Sequence, residues 1–275
     1  MNASIHFSVS MCVYGKDNPA HFHDAVNSIL DQTVKPSEVV LVVDGPVPQE
    51  LDTIIKNFET NPIFNVIRLP QNMGHGVARR TGLDNSKYDL VALMDADDLC
   101  VRNRFEMQLQ MLEKCPNLDI VGGNITEFVD NPENIVGKRI VPETDSQIKA
   151  YLKKRCPMNQ MTVMFKKTSV QKVGGYIDWY CDEDYYLWNR MYLANMTFAN
   201  IPEILVNVRV GKDMYQRRGS WKYFKSEAKL QWFMFRNRII SLPTYMNNVA
   251  IRFCLQVLMP NWLRGVVFQK FARKQ

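Results

Sequence analysis

Apolar residues follow two rhythms along the first hundred positions. Four short runs are almost continuous: residues 7–14 (FSVSMCVY), 38–43 (EVVLVV), 64–69 (FNVIRL) and 89–94 (DLVALM). Between them the spacing changes to helical. Phe22, Ala25, Val26, Ile29 and Leu30 share one face of 20–31, and Leu51, Ile54, Ile55 and Phe58 share another. A third helical segment opens after Asn72-Met73-Gly74 and runs to about Leu83. This β-α-β-α-β-α-β order, with strands apolar on both sides, predicts an α/β fold with a mostly parallel sheet flanked by helices. Ligands of such sheets bind at the carboxyl ends of the strands. The polar residues to watch are therefore Tyr14, Asp44 and the run Asp95-Ala96-Asp97-Asp98.

Beyond residue 100 the pattern is less regular. It predicts helices over 102–114, 145–154 and 182–194 and strands over 119–128, 161–166 and 203–210, then two or three helices rich in aromatic and basic residues. Charge divides the chain at about the same place. The net charge is +6, yet residues 209–275 hold 14 Lys or Arg against Asp213 and Glu227, which leaves −6 for the rest. A mildly acidic body of 1–210 followed by a basic tail of 211–275 suggests contact with a polyanion or an anionic surface. No nucleic-acid recognition module accompanies the charge, which leaves two readings, a membrane-surface contact or ordinary helices packed on the body with solvated basic faces. Arg217, Arg218, Lys222, Lys225 and Lys229 lie among Trp221, Tyr223, Phe224 and Trp232, residue types suited to a bilayer interface. No window is apolar enough to span a bilayer, because Arg252, Gln256, Pro260, Asn261 and Arg264 interrupt the best one, 249–268. The six cysteines form no CxxC pair and the first residues do not read as a leader. Both features predict a cytoplasmic protein, peripheral on the inner face of the membrane.

Three constellations carry candidate chemistry. Asp95, Asp97 and Asp98 follow a buried strand, where mutual repulsion would be relieved by a hard divalent cation sharing phosphate oxygens. The competing reading is a solvated turn or a helix cap. Gly74-His75-Gly76 opens the third helix ahead of Arg79, an arrangement suited to phosphate or sugar. It lacks the third glycine of a dinucleotide fingerprint and follows the wrong strand for one. Asp182-Glu183-Asp184 precedes an aromatic helix. Three adjacent carboxylates either cap that helix or supply a general base.

Taken in order, SVSMCVY (8–14), VNSILDQT (26–33), EVVLVVDG (38–45), NMGHGVARRTGL (72–83), LMDADD (93–98) with RFEMQ (104–108), VGGNITEF (121–128), VGGY (173–176) and DEDYYLWNRM (182–191) resemble the family 2 glycosyltransferases of GT-A fold. The resemblance spans about residues 7–220 and is strongest to the bacterial branch that builds O-antigen, capsule or exopolysaccharide repeat units. It implies a nucleotide-sugar-binding half, 1–100, and an acceptor-binding half, 101–210. It implies an inverting, non-processive transfer of one hexose from a UDP-sugar such as UDP-Gal or UDP-Glc to a glycan on undecaprenyl diphosphate, with Mn²⁺ or Mg²⁺. By the same resemblance Tyr14, with Cys12 and Val13, lines the uracil pocket, and Asp44 accepts a hydrogen bond from the base. Arg79 lies near the donor, Asp95 faces ribose, sugar or metal, and Asp97 binds the metal. Asp184 is the base, and Glu183 contacts acceptor or donor.

Two departures stand out. Gly45-Pro46 replaces the acid or serine that many members carry after Asp44. The processive Gln-x-x-Arg-Trp signature is absent, which fits single-sugar transfer. A nucleotidyltransferase would carry a Gly-rich basic loop after the first strand, and Tyr14-Gly15-Lys16 is a poor version of one. A nucleotide-sugar-binding protein, or a transferase with a soluble acceptor, stays open on the residues alone.

Overall fold

The computed structural model describes residues 5–211 and 220–260. Four parallel strands form its first half: β1 (Phe7–Tyr14), β2 (Glu38–Asp44), β3 (Phe64–Arg68) and β4 (Leu90–Met94). They are linked by α1 (Pro19–Leu30), α2 (Gln49–Glu59) and α3 (His75–Asn85). The spatial order β3-β2-β1-β4 is that of a sheet wound through right-handed crossovers.

The second half extends the sheet with mixed directions. After the short β5 (Leu99–Cys100) come α4 (Arg104–Lys114), β6 (Ile120–Phe128), β7 (Ile135–Arg139), α5 (Asp145–Leu152), β8 (Met164–Lys166), α6 (Lys167–Lys172), α7 (Glu183–Leu193) and β9 (Phe198–Arg209). The order continues β4-β8-β6-β9-β5, with β7 on β6. β8 runs antiparallel to both β4 and β6, so β6 and its parallel partner β9 point the same way as β1–β4. The acidic turn at the end of β4 and the acids that open α7 thus belong to the two halves of one continuous sheet.

Side-chain alternation divides the core. Phe7, Val9, Met11 and Val13 of β1, with Ala92 and Met94 of β4, pack with α1 and α4 on one face. Val91 and Leu93 point the other way, into a cluster with Ile148, Trp188 and Phe165. The α3 face of β1 carries Ser8, Ser10 and Cys12 instead of large residues. Small residues there let α3 approach closely, with Ala78 and Leu83 buried against the sheet.

Several elements differ from expectation. β9 begins at Phe198, five residues before the predicted strand, and runs through Pro202. Proline has no N–H to donate, and the register with β6 shifts at Gly123–Asn124 to accommodate it. Asn124 Nδ2 donates to the Pro202 carbonyl at 2.6 Å. β5, β7 and α6 are too short to show a period. In the tail, α8 (Trp221–Arg236) and α9 (Leu242–Phe253) form as expected. Leu230, Met234, Ile239 and Ile240 are buried in the same cluster as Trp188. Arg217, Arg218, Arg264 and Lys270 of the basic tail lie outside the described residues.

Candidate active site

The carboxyl ends of β1 and β2 shape a cavity of about 350 Å³ lined by Cys12, Val13, Tyr14, Asp44, Asn72, Gly74, His75 and Ala78. The structure therefore brings together four of the residues expected to hold the nucleotide: Cys12, Val13, Tyr14 and Asp44. Asp44 also builds its own surroundings. Its two oxygens accept the Met73 amide at 2.7 Å and the Gly74 amide at 3.1 Å, fixing the turn that opens α3. The glycine after it answers the first departure noted above. Gly45 has φ 87°, and a Cβ there would come within 2.5 Å of the Asn72 amide nitrogen. An acid or serine at 45 would collide with this turn. Burial, partly offset by Arg79, pushes the Cys12 thiol up to about 11, so it lines the cavity as an uncharged group.

The acidic run separates into different roles. Asp98 is buried and accepts the Arg209 amide at 2.9 Å, tying the turn to β9. Burial first, then Asp97 and Asp95, raise its carboxyl well above the usual range. None of these acids caps α4, whose N-cap residue is Asn103. RFEMQ secures the turn from behind. Buried Arg104 donates to the Leu93 carbonyl at 2.8 Å, and Gln108 donates to the Val121 and Thr162 carbonyls at 3.1 and 2.8 Å. Asp97 alone of the three acids is exposed.

Asp95 is half-buried and ion-paired with Arg79, whose guanidinium is 1% exposed. Arg79 also donates to the Met94 carbonyl at 3.2 Å, and its Nε donates to His75 Nε2 at 3.2 Å. A guanidinium can only donate, so His75 Nε2 carries the lone pair and Nδ1 the proton, a tautomer assigned from this network. Nδ1 then donates to Glu183 Oε1 at 2.7 Å. An unbroken line, Asp95–Arg79–His75–Glu183, thus joins the end of β4 to the start of α7. Burial, the largest single influence, raises Glu183, but the interactions with His75, a backbone hydrogen bond and Arg79 together outweigh it and the carboxyl is lowered.

Asp184, next in the chain, is set differently. Burial first, then the Glu183 charge, push it up from 3.8 to about 6. Its Oδ1 accepts the Tyr185 amide at 2.6 Å, and Cys156 Sγ lies 3.7 Å from Oδ2. Asp182 occupies the N-cap position of α7 without a side-chain capping bond, so capping does not account for the run. Burial, then Glu227 and Asp184, raise Asp182 well above the carboxylate range. Cys181 just before it has φ 59°, a left-handed backbone that turns the chain into α7.

Two participants escape a sequence reading. Asp17 sits in the turn after β1, accepting the Tyr14 amide at 2.9 Å. Burial, and then Asp97 and Asp95 after the opposing backbone bond, raise it to about 6. Tyr176, fully buried, feels Arg79, Asp184 and Glu183 at once. Asp17 carries no local signal, because only the fold brings it to the β4 turn. Tyr176 lies in the VGGY segment but reads there as a core aromatic.

Among the described residues no group of three or more His, Cys, Asp or Glu is arranged to cage a metal ion. The acids at the β4 turn fit a different kind of site. An exposed Asp97 beside half-buried Asp95 offers hard oxygen donors and leaves most positions of an ion to a diphosphate.

A family model described as Glycosyl transferase family 2 matches residues 8–174. The chain belongs to glycosyltransferase family 2. An uncharacterized glycosyltransferase of Haemophilus influenzae is 40% identical over 98% of this chain and 99% of its own length. The UDP-Gal:alpha-D-GlcNAc-diphosphoundecaprenol beta-1,3-galactosyltransferase of Escherichia coli is 36% identical over 98% of this chain and 97% of its own. The amylovoran biosynthesis glycosyltransferase AmsE of Erwinia amylovora is 34% identical, covering 82% and 84%. Among solved structures, S. aureus TarS in complex with UDP-GlcNAc matches 96% of this chain and 75% of its own, at TM-score 0.67 and 15% identity. The mannosyltransferase PcManGT of Pyrobaculum calidifontis, in complex with GDP-Man and Mn²⁺, matches 96% and 72% at TM-score 0.64 and 15% identity. These likenesses identify the GT-A fold of this glycosyltransferase. Among the described residues no helix is long and apolar enough to cross a membrane.

Proposed function

We propose that this glycosyltransferase transfers a single hexose from UDP-galactose or UDP-glucose, with inversion, to a sugar carried on undecaprenyl diphosphate at the cytoplasmic face of the membrane. The observation that carries the reading is the line Asp95–Arg79–His75–Glu183, which runs from the β4 turn past the donor cavity to the neighbour in sequence of Asp184, a half-buried carboxyl of raised proton affinity. The E. coli relative named above, aligned over nearly the full length, supports the UDP-sugar and the diphosphate-linked acceptor.

Tyr14, Cys12, Val13 and Asp44 hold the nucleoside in the cavity. Asp97, with the free side of Asp95, would hold Mn²⁺ or Mg²⁺, which when bound neutralises charge on the donor diphosphate. Asp184 takes the proton of the acceptor hydroxyl, and the freed oxygen pair forms the new bond to the anomeric carbon. The bond to the diphosphate oxygen breaks on the opposite face, and that oxygen leaves with the electron pair. One displacement inverts the centre, so an α-linked donor gives a β-linked product. Glu183, held by His75, keeps Asp184 basic and shapes its side of the site. The tail supplies the membrane contact. Trp221, Trp232, Leu242, Met246, Ile251 and Leu258 are all exposed on α8, α9 and the turn beyond.

Purified protein with Mn²⁺, UDP-galactose or UDP-glucose and an N-acetylglucosamine–diphosphate–lipid tests the reading. The expected result is UDP release matched by addition of one β-linked sugar. An α-linked product, transfer to free sugars alone, or UDP release without transfer overturns it. Co-sedimentation with anionic vesicles, with and without residues 245–275, tests the tail, and equal soluble fractions would remove the membrane role.

A further inference from the structure

On the far side of the loop that leads into α7 lies a second cavity, of about 250 Å³. It is lined by Asp178, Trp179, Tyr180, Lys222, Lys225, Ser226 and Lys229. The lysines stand at i, i+3 and i+7 on α8, one face of the helix, and all three are exposed. Lys222 lies 3.9 Å from the centre of the Tyr180 ring and Lys229 lies 4.2 Å from that of Trp179. Among the described residues none of the three is ion-paired with a carboxylate, and Asp178 is the one acid in the lining, so the pocket carries +2. Like charges gathered on aromatic walls repel one another and suit a multivalent anion.

The position of the pocket decides which anion. Ser226 Oγ donates to the Tyr180 carbonyl at 2.6 Å, locking α8 to this loop. Tyr180 precedes Asp184 by four residues, a span of at most about 14 Å even if extended. The other side of the loop rests on α3, where a Cβ on Gly76 would lie 3.0 Å from the Asp178 Cα. Gly76 follows His75, which lines the nucleotide cavity. The lysine pocket and the donor cavity are thus separated by a single stretch of loop, with the proposed base at its end.

We propose that Lys222, Lys225 and Lys229 bind the diphosphate of the lipid-linked acceptor. This rests on the acceptor assigned above. When the reacting hydroxyl belongs to the sugar joined directly to the diphosphate, that diphosphate must sit one hexose from the base. The bound of about 14 Å between Tyr180 and Asp184 is compatible with that reach. Exposed Trp221 lies beside it, its ring centre 5.7 Å from the Lys225 ammonium, where the polyprenyl chain would enter the bilayer.

The probe is a decyl diphosphate bearing one α-linked N-acetylglucosamine, titrated calorimetrically into protein saturated with UDP so that the donor cavity is filled. Removing one lysine should weaken binding about fivefold, and the triple variant K222Q/K225Q/K229Q about a hundredfold, the scale of one phosphate-directed cation each. Thermal protection by UDP in the triple variant serves as proof of folding. Inorganic pyrophosphate should compete with the probe in the wild type. Equal affinity of wild type and triple variant, or no binding to wild type, overturns the proposal. So does a triple variant that keeps the probe but loses sedimentation with phosphatidylglycerol vesicles, since the lysines would then serve bulk lipid. Probe binding that depends on the lysines, in a protein that transfers no sugar to the probe, would overturn the function assigned above and leave this site standing.

Discussion

Asp184 makes two opposed predictions from one cause. Burial and the Glu183 charge raise its carboxyl from 3.8 to about 6. As a base it must be ionised, so turnover should fall on the acid side of pH 6. The ionised fraction is about 0.9 at pH 7 and about 0.1 at pH 5, which predicts a loss of roughly tenfold between them. Stability runs the other way. A carboxyl that binds its proton more tightly when folded favours the fold below its unfolded pKa, and that contribution is lost as pH rises through about 6. The displacement corresponds to about 3 kcal/mol at most. Asp184→Asn should therefore lower turnover by about 10²-fold or more. It should also raise the melting temperature by several degrees at pH 7.5, at about 2–4 °C per kcal/mol for a chain of this size. At pH 5 the gap should shrink to roughly half, because the unfolded carboxyl is still ionised there, and the two melting curves should converge only below about pH 3.8. Glu183→Gln removes one cause of the shift and should move the acid limb of the rate profile to lower pH. The assays are initial-rate UDP release and scanning calorimetry across pH 5–8. A variant that retains most of its turnover removes Asp184 from the chemistry. One that is less stable than wild type at pH 7.5 refutes the claim that its charge is held at a cost.

Arg79→Met should destabilise by about 3–5 kcal/mol, because half-buried Asp95 loses its partner, and urea unfolding measures it. Asp97→Asn should abolish the extra thermal protection that Mn²⁺ gives in the presence of UDP while leaving stability without ligand within about 0.5 kcal/mol, since the side chain is exposed. Undiminished Mn²⁺-dependent protection would move the metal elsewhere. Gly45→Ala should lower donor affinity as well as stability, the latter by about 1–3 kcal/mol, because a Cβ drives the Asn72 turn out of the cavity wall. Wild-type UDP binding in this variant would show that the turn gives way freely.

The first half of the fold was legible because β1, β2 and β4 are buried on both faces and each helix on one, so period and apolar content agree. β1 to β4 and their three helices fall within a few residues of expectation. The second half was harder for identifiable reasons. β5 has two residues, too few to display alternation, β8 keeps only Met164–Lys166 of the strand predicted over 161–166, and Pro202 disguised the start of β9. At the site, sequence could name acids but not divide their labour. Asp95, Asp97 and Asp98 are neighbours in the chain, yet one is ion-paired, one is exposed and one holds a backbone amide. Only the position of Arg79 and Arg209 separates them. His75 read as part of a glycine turn, because its partners Glu183 and Arg79 lie 108 and four residues away. No local pattern marks a contact of the first kind.

The basic tail shows how a charge pattern and a packing pattern can describe the same helix without conflict. Lysine content marks the exposed face of α8, and Leu230 and Met234 mark the buried one. The buried face carries more than apolar packing. Glu227 of α8 is ion-paired with Arg252 of α9, and Arg252 also donates to the Lys154 carbonyl at 3.2 Å. The same Glu227 is the first charge that raises buried Asp182, and Asp184 is the second. The helices that present lysines to an anion outside therefore also enclose the acids inside. An acceptor whose diphosphate sits on the outer face would have its sugar between two opposite fields, cationic at the phosphate end and carboxylate at the hydroxyl end. That polarity fixes one orientation, the one that delivers the hydroxyl to the base.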